Sequence, residues 1–223
     1  TLRNLVLGSV SASVLRDART AVLVVHERSI AGGVAMERYC RSVFSRVLIP
    51  VDFSKPSLDT VEALPSLGPV GEAILLHVLG GELTAEDARI ATANAERRLA
   101  VLREGLEKEG TRVRTLVTTG RPAPEILRVA EAEDATLLVL TRFGKRDYVQ
   151  AAGIGPTAGE VGERARQPVL VRYPHLHYDV VTRELAPGEF PVAEEIWLHY
   201  HQQKTDRRTD RLFATLVEGV PAG

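Results

Sequence analysis

The sequence holds a single cysteine, Cys40. A lone thiol forms no internal disulfide, so the fold rests on packing rather than cross-links, and no cysteine-based metal site is available. A reducing, cytoplasmic setting is the matching expectation. Long apolar runs are missing too. Nothing approaches the roughly 20 residues that a membrane-crossing helix needs, so no membrane insertion is expected. The opening Thr1-Leu2-Arg3-Asn4 lacks the basic and apolar pattern of a secretory leader and lacks an initiator methionine, which suits a fragment or a processed piece. Neither sign of charge dominates. With a formal net charge of −1, general attraction to nucleic acid or to an anionic membrane is not expected. There is no Ser-His-Asp order, no phosphate-loop lysine motif and no metal-binding helix.

What is present is an ordinary core composition, 44% apolar and 26% charged over 223 residues, more than one average domain requires. Between residues 43 and 174, apolar runs of strand length alternate with helical patterns. Strands are expected at 46–52, 73–79, 113–117, 136–140 and 168–171. Most are apolar on both faces, as strands covered by helices on both sides are; 113–117 alternates with polar residues and belongs nearer an edge. Helices are expected at 57–67, 84–108, 123–132 and 158–166. Thr84 is a natural N-cap and Gly110 a natural stop. Alternating strands and helices build right-handed βαβ units and a doubly wound parallel α/β sheet.

The first residues repeat the last part of that pattern. Laid at equal spacing, Gly8 matches Gly155, Val14 matches Val161, Ala18-Arg19 match Ala165-Arg166, and Val22-Leu23-Val24 match Val169-Leu170-Val171. Residues 1–25 therefore read as the closing helix and strand of a truncated first copy. Residues 26–42, with Ala31-Gly32-Gly33, form a linker and 43–174 the near-complete domain. Residues 175–223 turn at Ala186-Pro187-Gly188 and continue into a helix from Val192, with the apolar Leu212 to Val217 segment beyond. One or two helices are expected there, of unknown role.

In an open parallel sheet, ligands bind beyond the carboxyl ends of the strands, where strand order reverses. Asp52, Gly120-Arg121-Pro122, Gly144 and Gly155 fall there. Glycines let backbone amides approach phosphate oxygens, and a helix start adds partial positive charge. Between 43 and 174 the chain resembles the universal stress protein family. The likeness rests on Val51-Asp52-Phe53-Ser54-Lys55-Pro56-Ser57, Leu75-Leu76-His77-Val78, Gly120-Arg121-Pro122 with Ile126-Leu127, and Pro168-Val169-Leu170-Val171, taken in order. It implies a five-stranded sheet of order 3-2-1-4-5 (adenine nucleotide alpha hydrolase-like), dimers paired through the last strand and, in some members, ATP binding.

The ATP-binding members carry the pattern G-x2-G-x9-G-(S/T). Here Thr141 stands at the first glycine and Gly144 at the second. Gly155 comes one residue late, and Pro156 replaces the hydroxyl residue, removing an N–H as well. Thr157 is the substitute hydroxyl. The candidate nucleotide-binding set is Asp52, Gly120, Gly144, Gly155 and Thr157. Plain alternatives stand beside each: a turn or capping acid for Asp52, turn glycines for Gly144 and Gly155, helix capping for Gly8 and Ser9. Arg142, Lys145 and Arg146 either meet phosphate or are solvated. His77 is read as a core or rim residue. The His175-x-His177 and His199-x-His201 pairs lack a completing ligand, so no metal is expected, and Cys40 has no adjacent base. The leading functional expectation is a non-enzymatic stress-response or regulatory domain that dimerises, either with a second chain or as an intramolecular pseudo-dimer. A strand at 22–25 requires a partner for its backbone groups, within the chain or in another. The alternatives are an ATP-binding switch using the loops after strands one and four, slow hydrolysis included, and a cytoplasmic regulatory appendage of a larger transporter or kinase.

Overall fold

A computed structural model describes residues 9–18, 20–25, 42–81, 83–144, 153–173, 180–184, 213–217 and 220–222. Cys40, most of the linker, Lys145, Arg146 and the two His-x-His pairs lie outside these residues. The chain divides into two units, Thr1–His175 and Leu176–Gly223.

The first unit is organised by β2 (Arg46–Pro50), whose Val47, Leu48 and Ile49 are 0% exposed. Successive strand residues point to opposite faces, so a strand apolar at every position must be covered twice. Leu48 joins Ile74, Leu76, Leu138 and Leu140 in one layer, under Ile126, Val129 and Val161. Val47 and Ile49 join Ala73, Leu75, Leu137 and Val139 in the other, under Val61, Leu64 and Leu99. The covering elements are α2 (Lys55–Glu62) and α3 (Ala85–Lys108) on the second face and α4 (Pro122–Ala132) and α5 (Pro156–Arg164) on the first.

β2 pairs in parallel with β3 (Glu72–Leu79) and with β5 (Leu137–Thr141). Beyond β3 lies β4 (Arg112–Thr119), an edge strand as its alternating residues foretell; beyond β5 lies β6 (Val169–Arg172). In domain order this is 3-2-1-4-5, as expected. The sheet, however, has six strands. β1 (Val22–Val24) is added to β6 antiparallel, pairing Val22 with Val171, Leu23 with Leu170 and Val24 with Val169. The expected five parallel strands are all present, and β1 extends them to a mixed sheet of six. The apolar segment at 22–24 satisfies its backbone on the last strand of its own chain. Ahead of β1, α1 (Ser9–Asp17) turns Leu15, 4% exposed, into the core layer shared with α5. α1 and α5 are both nine-residue helices, each followed after the same gap by its strand.

Helix boundaries follow the capping chemistry. Thr84 caps α3 by accepting the Asp87 amide at 3.2 Å. Ser54 caps α2, accepting the Ser57 amide, and a proline occupies its first turn. The helix expected at 57–67 instead stops at Glu62 and resumes as a 3-10 turn, Leu64–Leu67. Pro65 has no N–H to continue the α ladder, so the chain tightens there. α5 begins earlier than expected, at Pro156, because proline's fixed φ suits a first helical turn.

In the second unit the apolar segment at 212–217, expected to be helical, is a strand over its described residues. The unit's described residues form an antiparallel three-stranded sheet: β7 (Val180–Glu184), β8 (Phe213–Val217) and β9 (Val220–Ala222), in that order. Val180, Val181 and Thr182 are β-branched, as are Thr215 and Val217, and such residues favour a pleated surface. The helix expected from Val192 lies outside the described residues.

Candidate functional site

The carboxyl ends of β2, β3 and β5 and the start of α5 enclose a cleft of about 370 Å³. Its walls include Asp52, His77, Thr141, Arg142, Gly144, Gly155 and Thr157. Four of the five expected site residues thus meet in one place. The fifth, Gly120, does not line the cleft. It sits between β4 and α4 at φ +146°, and its amide donates to the Leu79 carbonyl at 2.9 Å. A left-handed backbone there turns the chain into α4 and puts Pro122 in the cleft wall.

Asp52 ends β2 in a tight turn. Its Oδ1 accepts the Ser54 amide at 2.9 Å and the Ser54 hydroxyl at 2.5 Å. It does not cap α2 itself; it orients Ser54, which does. Its second oxygen lies against Gly144, where an added Cβ would stand 2.5 Å from Oδ2. Between Asp52 and Ser54, Phe53 holds φ +61°, a left-handed conformation that costs a non-glycine residue about 1–2 kcal/mol. The ring is buried, with the His77 ring at 4.6 Å and the Arg98 guanidinium 3.9 Å above it. His77 in turn meets the Val51 carbonyl through Nδ1 at 2.6 Å. It is a rim residue of the sheet, and it lines the cleft. Nothing in the sequence announces the left-handed Phe53, since phenylalanine is among the residues that avoid it.

The opposite wall is the loop after β5 and the start of α5. The Thr141 hydroxyl donates to the Phe143 carbonyl at 3.3 Å, so it braces the loop. The Gly155 amide donates to the Arg142 carbonyl at 2.8 Å. Pro156 has no amide hydrogen. By the geometry of helix ends, the remaining first-turn donors of α5 are those of Thr157 and Ala158, and both residues line the cleft. Arg142 is 5% exposed, and burial draws its pKa below the usual arginine range, opposed in part by Tyr173 and Asp17. Sequence reasoning placed it among loop cations that either meet phosphate or are solvated. What it missed is a long-range contact, the Arg142 guanidinium on the Ala18 carbonyl.

Among the described residues no group of His, Cys, Asp and Glu is arranged to hold a metal, and no helix is long and apolar enough to cross a membrane.

A doubly wound sheet with a cleft at its strand ends is the arrangement in which open α/β domains hold their ligands. The chain belongs to the universal stress protein family, whose model matches residues 44–172. It is similar to universal stress protein MJ0577 of Methanocaldococcus jannaschii, 24% identical over 58% of this chain and 94% of the relative. The MJ0577 structure superposes with a TM-score of 0.54 over 96% of that chain. Hypothetical protein PH0823 is 29% identical with a TM-score of 0.50, over 57% of this chain and 95% of the other. A universal stress protein from Archaeoglobus fulgidus is 27% identical with a TM-score of 0.53. That match takes in 76% of this chain and only 56% of the longer one.

Proposed function

We propose that the chain is a non-enzymatic, regulatory universal-stress-type domain that holds an adenine nucleotide in its cleft. The observation that carries this is the convergence of Asp52, Gly144, Gly155 and Thr157, far apart in sequence, on one cleft at the strand ends. Asp52 with His77 offers acceptor and ring surface for the nucleoside. The start of α5 offers amides to phosphate. Pro156 and the Gly155–Arg142 bond withdraw two donors from that cradle, so a short phosphate chain suits it better than a triphosphate. The lone cysteine suits a reducing, cytoplasmic setting. Calorimetry with AMP and ATP tests the reading: AMP binds at least as tightly as ATP, and no heat with either at millimolar ligand sinks it.

The pairing function is carried within the chain. Leu23 faces Leu170, while Val22–Val171 and Val24–Val169 exchange roles about that pair. Since Val22-Leu23-Val24 are the repeat equivalents of Val169-Leu170-Val171, the register has the self-complementary form of a two-fold interface. This supports reading residues 1–25 as the closing helix and strand of a second copy, docked as a partner domain would dock.

A further inference from the structure

Arg142 makes more contacts than a loop cation needs. Its Nε donates to the Gly153 carbonyl at 2.9 Å, and a terminal nitrogen donates to the Ala18 carbonyl. The Tyr173 ring lies 5.6 Å from the guanidinium carbon. Its backbone amide takes the Arg172 carbonyl at 2.9 Å, and its own carbonyl accepts Gly155 at 2.8 Å. One residue therefore joins three pieces of chain: the end of α1, the end of β6, and the loop that carries Gly155 into the cleft wall.

Placing a guanidinium in a nearly closed site is costly unless its donors are met. The Ala18 carbonyl meets one of them only while α1 and β1 are docked. If the amino-terminal segment leaves, the guanidinium loses that acceptor and gains water by swinging out, and the Gly153 carbonyl loses its donor. Both contacts are made by one rigid planar group, so the rotation that follows loss of the Ala18 acceptor also carries Nε away from the Gly153 carbonyl.

We propose that Arg142 is a positioning residue that couples the docking of the 9–24 segment to the conformation of the Gly153–Gly155 turn, and through it to the cleft. The segment then acts on the cleft from outside it. A docked strand holds the cleft wall formed, and release of the strand loosens that wall. This coupling stands whether or not the ligand is a nucleotide.

The test is a double-mutant cycle read by amide hydrogen exchange without ligand. Leu15→Ala weakens docking, since Leu15 is buried against Gly162 in α5. Arg142→Met removes the fork, and Arg142→Lys keeps the charge without the fork. In the Arg142 background, Leu15→Ala speeds exchange at Gly155 by about tenfold, the size expected of groups sharing one network. In the Met and Lys backgrounds Gly155 already exchanges fast, and Leu15→Ala adds nothing. The β2 and β3 amides report whether each variant is folded, and the Lys variant carries the cycle if the Met variant fails that check. An equal effect of Leu15→Ala in all backgrounds would mean that the signal passes through α5 packing and not through Arg142. No effect at Gly155 in the Arg142 background would overturn the coupling outright. An AMP titration of the same variants reads the cleft separately. Loss of AMP binding in every protein counts against the nucleotide reading alone.

Discussion

At Gly144 a single methyl group decides between two roles. A glycine that only turns the chain tolerates alanine when space is open, but here the new Cβ meets Asp52 Oδ2. Asp52 cannot rotate away freely, because Oδ1 is held by the Ser54 amide and hydroxyl. The clash is relieved by breaking that turn, which also disturbs the Ser54 cap of α2. Gly144→Ala is therefore expected to lower stability by about 1–3 kcal/mol in urea unfolding, the usual range for overpacking. It should also abolish AMP binding. Asp52→Asn keeps the shape and removes the charge, so affinity falls while stability changes little. Unaltered affinity in both variants would remove Asp52 and Gly144 from the site. Asp52 was legible because acids at strand ends in this fold face the cleft. Phe53 and Arg142 were not, since a strained backbone and a buried arginine are both fixed by contacts distant in sequence.

Among the elements, those with strong local signals formed where expected. The capping threonine and closing glycine fixed α3 at both ends, and doubly apolar runs gave the inner strands. Elements with mixed signals did not. Pro65 cut the second helix short, and the segment at 213–217, apolar at four of five positions and without strand-type alternation, formed a strand and not a helix. α4 offers a pH test. Glu125 sits in its first turn and accepts two nitrogens of Arg128, the shortest contact being 2.8 Å. The Arg128 hydrogen bond holds the Glu125 carboxyl below the ordinary glutamate range, desolvation opposing it and the charge attraction reinforcing it. A depressed carboxylate pKa adds stability that is present above the unfolded value and lost as pH falls through the folded one. Carbon-13 NMR should place the Glu125 midpoint below that of an unpaired glutamate, and Arg128→Ala should raise it. A midpoint unmoved by that substitution would mean the pair is not formed in solution.

At the scale of the whole chain the repeat is what matters. Equal spacing of two short segments was legible in the sequence, and it correctly foretold a helix and a strand at 9–17 and 22–24. That strand was expected on the last strand, 168–172, and left open was whether the pairing is within the chain or between chains. The edge is that of β6, and the pairing is antiparallel. An uncovered edge strand invites another chain, and covering it removes the template. β6 has β5 on one side and β1 on the other, so the intact chain offers no free edge there. The only described strand edges left open in this sheet are those of β1, three residues long, and of β4. β4 carries exposed Arg112 and Arg114, charges that discourage edge pairing. The 223-residue chain is therefore expected to sediment as a monomer. Removing residues 1–41 uncovers β6 and the α5 surface that Leu15 covers, and the self-complementary register seen with β1 becomes available to a second copy. That shortened chain should sediment as a dimer in a concentration-dependent way. Substituting Leu170→Lys, which sets like charges opposite one another across the two-fold pair, should return it to a monomer. A shortened chain that stays folded and monomeric at high concentration would mean that β1 merely covers an edge and does not stand in for a partner's strand.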